Sequence, residues 1–209
     1  MQAIEVLKLI EKGEDSYVQF KENAHNELSI AQEMIAFANT NGGIILIGVD
    51  DKNWEPKGLK KEDLHRLTNL LVNAAQQHIK PSIYITTETV EIDNKFIMIV
   101  KVPKGIAIPY KDKDGIIWAK NGANKRKVTS NEEIARLLQS SGYLSAEEKI
   151  IEHSNIMDDL DFDKFIRFYK EQYNEEIELD KIDKYISNLR LGSNNKLNIA
   201  GGLLFGKNV

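Results

Sequence analysis

The chain has 209 residues, 42% hydrophobic and 29% charged, with a net charge of −4 and no cysteine. That composition suits a globular protein with one good core or two small ones. It excludes disulfides and thiolate zinc sites and fits a cytoplasmic location. No apolar run reaches the roughly 20 residues of a membrane helix, so no membrane partner is expected. The first residues, Met1-Gln2-Ala3-Ile4-Glu5, lack the basic start and apolar segment of a secretory signal.

Ile4, Leu7 and Ile10, with Val6 and Leu9, predict a short amphipathic helix stopped at Gly13. Residues 17–21 alternate as a strand. Ser29 is the expected cap of a helix with the stripe Ile30, Met34, Ile35, Phe37 and Ala38. Residues 44–49 are almost wholly apolar, as in a strand covered on both faces. Asp50-Asp51-Lys52-Asn53 reads as a turn. A helix over residues 61–78 follows, with Leu64, Leu67, Leu70, Leu71, Ala74 and Ala75 inward. Residues 83–92 and 96–102 form two β runs joined at Asp93-Asn94, a hairpin turn by composition. Residues 107–110 and 115–119 predict a further hairpin. Ser130-Asn131-Glu132-Glu133 opens a helix through Leu138, with Gly142 past its end. The expected fold is α+β, a β-α-β-α-β-β core with a mixed sheet and an extra hairpin.

From about Leu144 the pattern turns acidic and helical. The expected organisation is a first domain over 1–143 and a small helical unit over 144–209. Its last run, Ala200-Gly201-Gly202-Leu203-Leu204-Phe205-Gly206, suggests a chain leading toward a further C-terminal region. Charge is uneven too. Between Lys101 and Lys127 eight basic residues stand against two acidic ones, a local net of +6. A basic segment on an acidic chain is either an electrostatic footprint for phosphate or a solvated lysine-rich loop.

Two motifs carry the most information. One is Ala36-Phe37-Ala38-Asn39-Thr40-Asn41-Gly42-Gly43, where a helix gives way through a polar turn to paired glycines and a buried strand ending at Gly48-Val49-Asp50-Asp51. The other is Glu14 followed by Gln19-Phe20-Lys21. With a looser Lys120-Asn121-Gly122-Ala123-Asn124-Lys125, they make the region from Glu14 to Gln139 resemble the Schlafen AlbA-type domain, also called the divergent AAA-ATPase-type domain. The resemblance implies an Alba-like fold and a nucleic-acid-binding module of transcriptional regulators.

In nuclease members of that family two glutamates and an aspartate bind divalent metal and cut RNA. The resemblance carries the first glutamate to Glu14, the aspartate to Asp50 and an accompanying lysine to Lys21. The second glutamate falls on Gln19, whose amide brings no negative charge to a magnesium or manganese ion. The substitution argues against cleavage. Glu22 is no replacement, since strand alternation puts it on the face opposite Gln19. Glu14, Lys21, Asn39, Gly42, Gly43 and Asp50 are expected to converge at one end of the sheet.

The expected nucleic-acid contacts are Asn39, Gly42, Gly43, Lys104, Lys120, Lys125, Arg126 and Lys127. No cofactor and no metal are expected outside the nuclease alternative, which needs magnesium or manganese. The expected partner is DNA or RNA. A second copy of the chain is a further candidate partner, as a homo-oligomer, and the third function class is a scaffold mediating dimerisation or partner contact. The four histidines show no metal-ligand spacing, and no Walker loop is present. Trp118 is either a base-stacking platform or a core residue on a half-buried strand.

Overall fold

A computed structural model describes residues 1–142 and 145–207. The chain divides into two compact units, Met1–Ser141 and Gly142–Val209. The first is α+β. Helix α1 (Ala3–Lys12) ends at Gly13, whose φ of +85° suits glycine. Strand β1 (Val18–Lys21) leads to α2 (Glu27–Ala38) and β2 (Gly43–Ile47). Helix α3 (Lys61–Gln77) precedes the short β3 (Ile79–Lys80) and the hairpin of β4 (Thr86–Ile92) and β5 (Lys95–Val102). Then come β6 (Lys111–Asp112), the hairpin of β7 (Trp118–Asn121) and β8 (Asn124–Lys127), and α4 (Asn131–Ser140).

The main sheet has the order β1-β2-β5-β4, with β1 and β2 parallel and the other pairs antiparallel. Because β1 and β2 are parallel, α2 must cross over between them. The apolar run of β2 splits by alternation, as a doubly covered strand requires. Ile45 and Ile47 join Met98 and Val100 under α2 and α3. Leu46 joins Ile97, Ile99, Phe20 and the Val6 and Ile10 stripe of α1. The β4–β5 turn has Asp93 and Asn94 at φ 49° and 60°, the left-handed pair of a tight hairpin.

Two local expectations are corrected. The cap of α2 is Asn26, whose side chain accepts from the Ser29 amide at 3.0 Å, so Ser29 lies inside the first turn. Residues 107–110 are not a strand, because the Tyr110 backbone is held by the Asn39 side chain rather than by a ladder. The extra hairpin is instead β7–β8, turning at Gly122-Ala123.

The second unit holds α5 (Ile156–Asp159), α6 (Phe162–Tyr173), α7 (Ile182–Asn188), the small hairpin β9 (Gly192–Ser193) and β10 (Lys196–Leu197), and α8 (Ile199–Phe205). Its core is Ile156, Leu160, Phe165, Ile186, Leu197 and Phe205. Each unit thus owns a core. A chain ending at Ser141 is therefore expected to keep a cooperative α+β fold. A flat circular-dichroism melting curve from that shortened chain would refute independence. Among the described residues no helix is long and apolar enough to cross a membrane.

Candidate nucleic-acid interface

The loop after α1 folds back along β1, so Glu14 lies beside the strand it precedes. One carboxylate oxygen of Glu14 accepts from the Phe20 amide at 2.7 Å and from the Gln19 side-chain amide. Alternation turns Gln19 away from the Phe20 core, toward the α2 side where its strand neighbour Ile45 packs. There its carbonyl oxygen accepts from Lys120 Nζ at 2.8 Å. Lys120 also donates to the Ala123 carbonyl at 2.6 Å and stands 4.9 Å above the Phe37 ring. Burial pushes the Lys120 ammonium below its ordinary pKa, opposed by the nearby carboxylates of Glu33 and Glu14.

Glu33 closes this network. It is 5% exposed, and its Oε1 accepts from Lys125 at 2.8 Å while its Oε2 is buried with no partner among the described residues. The sequence reading missed it. The signal was available, since Glu33 sits on the Ile30, Met34, Phe37 stripe of α2, where a lone carboxylate must be paired.

The six motif residues do not meet at one end of the sheet. Asn39, Gly42 and Gly43 lie where β2 begins, and Asp50 lies past where it ends. The Asp50 carboxylate caps its own turn through the amides of Lys52 and Asn53, at 2.7 and 3.0 Å. It also pairs with Lys57 at 2.6 Å, and Lys57 reaches Glu22 at 2.9 Å. The Lys57 ammonium, then the two amides, hold the Asp50 carboxyl far below the usual carboxylate range. Lys21 lines a small recess with Asn23 and His25.

A three-carboxylate metal centre does not fit these residues. Gln19 spends its amide as donor to Glu14 and acceptor from Lys120, and Asp50 is engaged with Lys57. Among the described residues no group of three acidic or histidine side chains is placed to hold an ion.

Asn39 is 3% exposed and acts as a clamp. Its Nδ2 donates to the carbonyls of Tyr110 and Trp118 at 2.9 and 2.8 Å, and its Oδ1 accepts from the Tyr110 amide at 2.7 Å. Gly42 needs its φ of +74°, and a Cβ there would lie 2.7 Å from the Lys104 nitrogen. A Cβ on Gly43 would overlap the Phe37 ring. These three residues fasten the turn rather than offer themselves to a ligand.

The basic segment is partly turned inward. Lys120 is buried, and Lys125 is spent on Glu33. Trp118 donates its indole N–H to Asp112 at 2.8 Å, and the Lys125 and Lys127 ammoniums stand 5.9 and 5.6 Å from its ring centre. That arrangement is packing, not an open stacking platform. Lys104, Arg126 and Lys127 remain exposed. Lys104 and Arg126 line an open groove of about 600 Å³ with the Asn39-Thr40-Asn41 turn and, from α4, Arg136.

No curated protein matches the chain. Among solved structures, the DIP2311 protein of Corynebacterium diphtheriae is 16% identical with a TM-score of 0.51, over 97% of this chain and 44% of its own. This chain therefore spans less than half the length of that relative, and the likeness is one of fold. The N-terminal domain of an ATP-dependent DNA helicase RecG-related protein from Nitrosomonas europaea is 20% identical, with a TM-score of 0.45, over 63% of this chain and 96% of that one. The family model described as Schlafen, AlbA_2 matches residues 14–129, more than half of the chain and the span that holds Glu14, the Asn39 turn, Asp50 and the β7–β8 hairpin. The chain belongs to the Schlafen AlbA_2 family.

Proposed function

We propose that the first unit binds nucleic acid and does not cut it, as the nucleic-acid-binding domain of a transcriptional regulator. Membership of the Schlafen AlbA_2 family makes it a nucleic-acid-related domain. The observation that carries the reading further is the groove in which Lys104, leaving β5, meets Arg126 of β8 beside the Asn39-Thr40-Asn41 turn. Exposed cations on a concave surface suit phosphates, which position a nucleic acid without reading its sequence. The side chain of Gln19, held between Glu14 and Lys120, supports binding without cleavage.

The test is to incubate the protein with labelled transfer RNA, single-stranded RNA and duplex DNA, with manganese or with EDTA. Retention without cleavage is expected in both conditions. Binding should fall steeply with salt, with a log–log slope of about −2 to −4 if three or four phosphates are neutralised. Cleavage that appears only with manganese would replace this reading with a metal-dependent endoribonuclease. Failure to retain any of the three would overturn binding itself.

A further inference from the structure

The Arg126 guanidinium pairs with the Glu133 carboxylate. Its Nη1 and Nη2 donate to the two carboxylate oxygens, at 2.9 and 2.5 Å. This two-pronged geometry is the one with which arginine also takes a phosphate. Glu133 comes from the first turn of α4, which Ser130 caps through the Glu133 amide. One turn further along the same helix Arg136 is exposed, and it lines the groove with Lys104. Glu132 lines the groove as well, and of the three cations only Arg126 is in an ion pair among the described residues. The Arg126–Glu133 pair is 44% and 29% exposed at its two side chains, so water weakens it.

We propose that this groove is the track of a nucleic-acid backbone, with Lys104 and Arg136 as its free cations and Glu133 as a built-in competitor that a phosphate displaces from Arg126. The proposal rests on the nucleic-acid reading above and extends it to a path, a further binding residue and an internal brake. The groove supplies the concavity. Its cations come from three separate stretches of chain, the segment after β5, β8 and α4, and all line one groove. The carboxylate of Glu133 marks where one of those phosphates sits. Displacement frees Glu133 to water, where an exposed carboxylate is well solvated. The exchange therefore costs little, and salt tunes it.

The experiment is anisotropy with a short labelled single-stranded RNA and a short DNA duplex, across about 50 to 200 mM salt. Glu133→Gln keeps the side-chain size and removes the competing charge. It should tighten binding about three- to ten-fold at the low-salt end, because the phosphate that Arg126 takes no longer has a carboxylate to displace. The double variant Lys104→Ala, Arg136→Ala should weaken binding about ten-fold or more and flatten the slope by about 1.4 to 1.8, the value of two phosphates no longer neutralised. Both substitutions are at exposed positions, and equal thermal melting shows that the fold is intact. If the parent binds and both variants match it in affinity and slope, the groove is not the track although the domain still binds nucleic acid. If the parent binds nothing, the nucleic-acid reading has failed, and the track with it.

Discussion

Asn39→Ala is expected to destabilise the first unit by about 3 to 4 kcal/mol. Asn39 ties the end of α2 to the backbone at Tyr110 and Trp118 through three hydrogen bonds made from a buried position. Alanine strands the Tyr110 amide and two carbonyls where water reaches poorly, and each orphaned group costs about 1 to 3 kcal/mol. Asn39→Asp should be nearly as damaging, because its oxygens can serve the Tyr110 amide but face the two carbonyls with charge instead of donors. Urea unfolding of the parent and both variants reads this directly. A loss below about 1 kcal/mol for alanine would show that the 103–110 segment holds its place without the clamp. Weakened nucleic-acid binding in the folded fraction would follow from a displaced Lys104, which sits in that segment.

The second large effect is expected at Gln19→Glu. The amide donates to Glu14 and accepts from Lys120, and a carboxylate keeps only the second role. The variant therefore sets two carboxylates against each other at a nearly closed site, with Lys120 as partial compensation. A loss of about 1 to 3 kcal/mol at pH 7 is expected. The introduced carboxyl has its pKa raised by the neighbouring charge. The penalty is therefore full above that raised pKa and shrinks as pH falls through it toward the ordinary value of about 4.3. A divalent cation relieves the same repulsion, so manganese should raise the melting temperature of the variant and give heat in calorimetry, with neither effect in the parent. Tight manganese binding by the parent would show that the amide is no obstacle and would put the nuclease reading first. A variant as stable as the parent at every pH would mean that Lys120 neutralises the new charge completely.

Much of the architecture was legible because it is written locally. The alternation of residues 17–21, the apolar run of 44–49 and the Leu67, Leu71, Ala74 stripe each state which face is buried, and the sheet and its two flanking cores follow. Asp93-Asn94 carried its own turn chemistry. The Ser130 cap was equally local. The misplaced hairpin at 107–110 shows where such reasoning ends. Its backbone is satisfied by Asn39, 71 residues away, and no nearby residue announces that bond.

The candidate site divides in the same way. From sequence alone came the family motifs, the substitution of glutamine at position 19 and the basic segment between Lys101 and Lys127. The tertiary structure decided what those charges do. It buries Lys120 under Gln19, 101 residues distant, and spends Lys125 on Glu33. It separates Asp50 from the Asn39 turn by the length of β2, and it brings Arg136 of α4 to Lys104 and Arg126. The physical reason is one of range. Helix and strand periods depend on neighbours a few residues apart, so composition and spacing encode them. Whether a lysine is free for a phosphate depends on which carboxylate or carbonyl the packed chain sets within hydrogen-bond reach, and only the folded arrangement of distant segments determines that.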